Sequence, residues 1–230
     1  MSSDIIVEVV RVFTDEAGGY GNPVGVIFDE DLKIADTVRQ RIATELGFSE
    51  TVFVDSVTEP AVSVFDTTHQ VKFAGHALVG AAWLITGRLE KPTESIRCSD
   101  MDIVTWQDGP VRWIRAAMSL TPGWNHDELE SPEQVEAITD KEAATKEHVF
   151  VWAWQDRDGG QIRARTFLPD WEILEDQGNG SGSMQRAVSL NQELVIHHGV
   201  GSVIYARPAS NDQAEIGGRV VLDPPLTIII

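Results

Sequence analysis

Phe73-Ala74-Gly75-His76-Ala77-Leu78-Val79-Gly80 leads into a segment, Gly75 to Thr86, in which apolar residues fall on nearly every side of a helix. A helix that is apolar all round has to be enclosed, so this stretch predicts a buried central helix with other elements wrapped about it. The flanking sequence supplies strands. Runs rich in β-branched and apolar residues occupy 5–13, 24–28, 51–54, 61–65, 96–98, 103–106 and 111–117, separated by turn formers such as Gly18-Gly19-Tyr20-Gly21-Asn22-Pro23 and Gly109-Pro110. One more helix is expected over 36–46, where Val38, Ile42 and Leu46 recur at helical spacing and Gly47 supplies the stop.

The second half reads in a similar way. After the loop Thr121-Pro122-Gly123-Trp124, Ser131 and Pro132 predict a cap and a first turn for a short surface helix reaching Ile138. Runs at 148–154 and 162–167 flank Asp158-Gly159-Gly160, the pattern of a hairpin. A second small-residue helix is expected over 183–190 behind Gly180-Ser181, followed by strands at 194–197, 202–207 and 216–222. Each half is therefore strands around one helix that starts at a glycine. The division is expected near Gly109-Pro110, with an amino-terminal lobe of 1–110 and a carboxy-terminal lobe of 111–230 whose last strand is free to return to the first lobe. No self-similarity at a period of about 20–50 residues is evident, which excludes a solenoid.

Composition narrows the function classes. The chain has 230 residues, 42% of them hydrophobic, and a formal net charge of −18 without a cluster of basic residues. Such a field repels phosphate backbones and anionic lipids, so neither nucleic acid nor a membrane surface is an expected partner. The longest apolar run, Ala77 to Ile85, is far too short to span a bilayer, and Met1-Ser2-Ser3-Asp4 lacks a secretory pattern, so a cytoplasmic protein is expected. Cys98 is the single cysteine, expected as a buried thiol, and rules out a two-thiol acid/base pair.

Three polar clusters sit at element boundaries: Phe48-Ser49-Glu50-Thr51-Val52-Phe53-Val54, Gly75-His76, and Glu175-Asp176-Gln177-Gly178-Asn179-Gly180-Ser181. Helix amino termini present N–H groups and the positive dipole end to anions, and two of them facing one cleft would suit a carboxylate or enolate. Glu50, flanked by Phe48, Val52 and Phe53, is the candidate acid/base, with desolvation expected to raise its pKa. An equally direct reading makes Glu50 a surface residue at a strand start. His76 alone reads as a core histidine, and Asp176 as a turn residue. His197 and His198 are adjacent in a strand and point to opposite faces, and no ligand set accompanies them, so no metal is expected. Gly18-Gly19-Tyr20-Gly21 lacks dinucleotide-binding spacing, and Asn179-Gly180-Ser181-Gly182 is not a nucleophile elbow.

Val12-Phe13-Thr14, Gly21-Asn22-Pro23-Val24-Gly25-Val26, the run from Ala43 to Val54, and Phe73-Ala74-Gly75-His76 together resemble the phenazine-biosynthesis PhzF-like family. The resemblance implies an α+β, diaminopimelate epimerase-like fold: two pseudo-symmetric lobes, each a barrel-like, mostly antiparallel sheet around a central helix, with the site between them. It also implies a homodimer and isomerisation without a cofactor. The family's glutamate proton shuttle matches Glu50. Its glycine–histidine pair matches Gly75 and His76, and the aspartate and glycine–serine of its D-P-x-T-G-S motif match Asp176, Gly180 and Ser181. That last motif departs here, reading Asp176-Gln177-Gly178-Asn179-Gly180-Ser181, and Ala77 stands where proline is frequent.

The resulting expectation is an isomerase that moves a proton on a small carboxylate-bearing metabolite, by double-bond migration or epimerisation. Glu50, Asp176 and His76 would be catalytic, and Gly75, Gly180 and Ser181 substrate-binding. The alternative is an inactive relative that keeps the fold and binds a small metabolite.

Overall fold

The structure is a computed structural model describing residues 4–169 and 173–229. Two compact units emerge. The first comprises the chain up to Val12, Pro23–Ile114 and the chain from Arg219 on; the second comprises Phe13–Asn22 and Arg115–Gly218. In chain order the elements are β1 (Asp4–Thr14), β2 (Asn22–Phe28), α1 (Asp36–Leu46), β3 (Thr51–Ser56), β4 (Ala61–Phe65), β5 (Gln70–Val71), α2 (Gly75–Leu89), β6 (Ser95–Cys98), β7 (Met101–Asp108) and β8 (Val111–Ala117). They continue with β9 (Asn125–Glu128), α3 (Pro132–Glu136), α4 (Asp140–Ala143), β10 (Val149–Asp156), β11 (Gln161–Leu168), β12 (Ile173–Asp176), α5 (Gly180–Leu190), β13 (Leu194–His198), β14 (Ser202–Ala209) and β15 (Gln213–Ile229). The unit boundaries fall inside β1, β2, β8 and β15, so each of these strands has residues in both units.

In the first unit the strand order is β1-β2-β3-β4-β6-β7-β8, with β5 on β4, and β15 bonds to both β8 and β1, which closes the sheet into a barrel. Helix α2 fills it. His76 to Ala82, Leu84 and Ile85 are buried, as the all-round apolar pattern requires. Gly80 permits the close fit, because a Cβ there would come within 2.9 Å of Val10 Cγ2 and 3.0 Å of Val12 Cγ2. Outside the barrel, α1 packs Ile42 and Ala43 into a cluster with Val7, Ile27, Phe53 and Phe65, and Phe53 meets Phe65 edge-on at 5.5 Å. A buried ion network completes this layer: Arg39 reaches Asp29 at 2.8 Å and Asp55 at 2.7 Å.

The second unit repeats the pairing scheme. In the first, β2 is parallel to β3, β3 antiparallel to β4, β4 parallel to β6, and β6 antiparallel to β7. In the second, β9 is parallel to β10, β10 antiparallel to β11, β11 parallel to β13, and β13 antiparallel to β14. The short strands β5 and β12 hang on β4 and β11, immediately ahead of α2 and α5. By this correspondence Glu50, just before β3, has His148 as its counterpart, just before β10. The α+β, pseudo-symmetric architecture expected from the sequence is present.

Several local expectations are corrected. Ser131 stands at the start of α3 without a side-chain capping bond, while the unforeseen α4 carries a full capping box between Thr139 and Glu142. Strand β9 escaped notice because Asn125-His126-Asp127-Glu128 is polar and mostly exposed. Helix α5 begins at Gly180 rather than Ser183. Among the described residues no helix is long and apolar enough to cross a membrane.

Candidate functional site

Glu50 is placed by two neighbouring constraints. Gly47, at φ 66°, ends α1 in the left-handed conformation and donates its N–H to Ala43 O, a geometry glycine adopts without a Cβ penalty. Phe48 then anchors on the cluster around Phe53 and Phe65, and the chain passes Ser49 and Glu50 before entering β3. His76 is the second residue of α2 and is buried. Ala74, which precedes that helix, gives no side-chain cap.

These segments bring Glu50 and His76 together. Glu50 Oε2 lies 2.9 Å from His76 Nε2, and Ser49 Oγ is 3.4 Å from the same nitrogen. Oε2 is itself buried, and by distance the contact with His76 is an ion pair. Burial pushes the Glu50 carboxyl up, but the charge of His76, with polar contacts from His76 and Ser49, outweighs it and holds the group below its ordinary range. The upward shift expected from the flanking aromatic residues is thus overturned by a neighbour 26 positions away that sequence order does not place beside it.

In the second unit Asp176 ends β12 and gathers three donors. Its Oδ1 accepts from Asn22 Nδ2 at 3.1 Å and from the Gly178 N–H at 3.0 Å, and its Oδ2 accepts from Asn179 Nδ2 at 3.1 Å. Asn179 in turn caps α5, accepting from the Gly182 N–H at 2.6 Å. Ser181 accepts from Trp124 Nε1 at 2.7 Å, and Trp124 packs on His148 at 4.7 Å between ring centroids with the planes tilted by 33°. Gly180 sits close to β15, where a Cβ would lie 2.9 Å from Ile216 Cδ1 and push that methyl aside. Asp176, Gly180 and Ser181 therefore form one knitted turn, in which the Gly182 N–H is already engaged.

Three contributors were not singled out from sequence: Ser49 beside the imidazole, Asn22 on Asp176, and Asn179 as the α5 cap. A polar residue one position before a small-residue helix is a general cap signature and could have identified Asn179. Nothing local marks Asn22 as the partner of Asp176.

In sequence and fold the chain is similar to known proteins. A family model described as phenazine biosynthesis-like protein, PhzC-PhzF, matches residues 10–105. The chain is 27% identical over 216 residues to the trans-2,3-dihydro-3-hydroxyanthranilate isomerase of Pseudomonas chlororaphis, covering 78% of this chain and 77% of that one. A PhzF family structure from Enterococcus faecalis superposes with a TM-score of 0.79 at 20% identity, over 98% of this chain and 99% of the other. A hydroxyproline epimerase from Agrobacterium vitis shares the fold at a TM-score of 0.58 and 10% identity, over 99% and 93% of the two chains.

Proposed function

We propose that this PhzF-like isomerase moves one proton between two carbons of a small carboxylate-bearing metabolite, with Glu50 taking the proton and giving it back. The observation that carries this reading is the buried Glu50 Oε2, 2.9 Å from His76 Nε2. A buried carboxylate beside an imidazole is a group that can accept and return a proton. Abstraction breaks a C–H bond, its electron pair enters a C=C bond, and negative charge develops on substrate oxygen. The proton moves to Oε2 and is returned to a second carbon, so the reaction balances without an oxidant or reductant.

The ion pair makes resting Glu50 a weak base. Substrate binding is proposed to loosen the contact with His76, leaving burial as the dominant influence and strengthening the base when it is needed. His76 and the amino terminus of α2, including Gly75, would hold the developing oxyanion, since helix N–H groups and dipole favour negative charge. Asp176 is proposed to be catalytic, and Gly180 and Ser181 to bind substrate. Two copies are proposed to assemble as a homodimer in the cytoplasm, which light scattering of the purified protein tests for oligomeric state.

The experiment is deuterium incorporation from heavy water, beginning with the substrate named for the relatives, trans-2,3-dihydro-3-hydroxyanthranilate. Isomerised product from the wild type, carrying either the original substrate hydrogen or deuterium exchanged at Glu50, and none from Glu50→Gln supports the proposal. Equal turnover by the two proteins removes Glu50 from the mechanism. A second reading, binding without turnover, is favoured by the occupied α5 cap; a ligand that stabilises the protein and is recovered unchanged supports it.

A further inference from the structure

At the carboxy-terminal end of α2, away from His76 at its amino-terminal end, the first unit contains a recess of about 450 Å³, with Glu8, Trp83, Leu84, Arg88, Arg112 and Leu222 in its lining. Its size falls within the range of small-molecule sites. Arg112 is 1% exposed. Its Nη2 donates to Thr86 Oγ1 at 2.5 Å and its Nη1 to Thr93 O at 3.4 Å, and both acceptors are neutral. Its Nε is buried with no hydrogen-bond partner, and among the described residues no carboxylate pairs with its guanidinium.

An uncompensated buried cation is costly in a protein interior, and burial lowers the Arg112 pKa accordingly. The other charges in the lining do not relieve it, because Glu8 is taken by Arg88, whose guanidinium also lies over the Phe28 ring at 3.4 Å. The recess therefore carries an excess positive charge in a chain whose net charge is −18. Trp83, Leu84 and Leu222 give it apolar walls.

We infer that this recess is a second binding site, for a small monocarboxylate with an apolar body, whose carboxylate supplies the counter-charge that Arg112 lacks. Guanidinium and carboxylate match as a planar, two-point pair, and the indole and leucine walls take the hydrocarbon. The inference rests on the first unit alone and does not depend on the chemistry proposed for Glu50.

Benzoate is the probe, with benzamide as its neutral counterpart, titrated calorimetrically into the full chain. Arg112→Met removes the charge while keeping the apolar volume. Gly87→Phe is the second variant, because Gly87 lines the recess and a Cβ there meets nothing within 4 Å, which leaves room for a ring to obstruct the recess while Arg112 is retained. Both proteins are first checked for cooperative unfolding; should Arg112→Met fail to fold, Gly87→Phe and benzamide decide. The expected result is benzoate affinity lowered at least about tenfold by each substitution, and benzamide at least about tenfold weaker than benzoate on the wild type. The inference is overturned by a wild type that does not bind benzoate at millimolar concentration, by benzamide binding as tightly as benzoate, or by wild-type affinity in Gly87→Phe.

Discussion

Glu50 Oε2 and His76 Nε2 lie 2.9 Å apart in a buried setting, and the pair decides the resting state of the candidate base. At this range the attraction between unit charges amounts to several kcal/mol even at an effective dielectric constant of about 20, enough to offset the cost of burying one carboxylate. Glu50→Gln keeps the volume and removes the charge. It is expected to lower the rate of proton transfer by a factor of about 10² to 10⁴, the usual contribution of a positioned acid/base, and to lower the melting temperature at neutral pH, where the ionised Glu50 contributes stability. Isomerisation rate and thermal unfolding measured on one preparation check both halves of this expectation.

The same pair sets a pH signature. In the free protein the Glu50 pKa is lowered from an ordinary value of 4.5, so its ionised form persists below that value and the acid limb of kcat/KM should lie there. Once substrate loosens the pair, the acid limb of kcat should appear at higher pH. For stability the sign follows from the lowered folded pKa: the contribution is present above pH 4.5 and is lost as pH falls through the folded value. Rate profiles for both parameters test the first statement, and urea unfolding of wild type against Glu50→Gln in acid tests the second.

His198 gives a second acid response. It is fully buried, contacts Thr166 Oγ1 at 2.9 Å, and burial lowers its pKa from 6.5 to about 3. Between those values the unfolded chain binds a proton that the folded chain refuses, so stability falls as pH drops below 6.5, by up to about 1.4 kcal/mol per pH unit. His198→Gln, which can keep a hydrogen bond to Thr166, should flatten that slope. An unchanged slope in urea titrations at several pH values would show that other groups carry it.

Asp176→Asn should weaken the turn before α5. The amide retains one acceptor but turns an N–H towards groups that are themselves donors, from Asn22, Gly178 and Asn179. A loss of about 1–3 kcal/mol is expected, with KM raised more than kcat is lowered. Chemical denaturation and steady-state kinetics report the two effects separately.

Gly80→Val tests the barrel filling. With only 2.9 Å between a hypothetical Cβ and Val10 Cγ2, added methyl groups overpack the interior, at a cost of roughly 1–3 kcal/mol or more. The shift in urea midpoint measures it.

Much of this molecule was legible before any coordinate. The bounds of α1 could be read because Gly47 must turn left-handed, and α2 because no face of it was polar. The repeat of strands about a small-residue helix was visible in both halves. What stayed hidden were long-range partners: Asn22 reaches Asp176 across 154 positions, and no local pattern encodes such a meeting. Hidden too was the outcome at Glu50. Flanking aromatic residues announce desolvation, yet the imidazole that reverses its effect arrives from another element. The polar strand β9 was missed because, among the described residues, it sits at the end of its sheet order beside β10, where little apolar surface is demanded of it.

The unit boundaries inside β1, β2, β8 and β15 bear on how the protein comes apart. No loop cut frees either copy of the repeated scheme, since removing one cuts four strands and strips ladder bonds from what is left. Melting one copy unzips strands on which the other depends. Denaturation should accordingly be a single cooperative event, with calorimetric and van't Hoff enthalpies in agreement, although the chain carries its strand pattern twice.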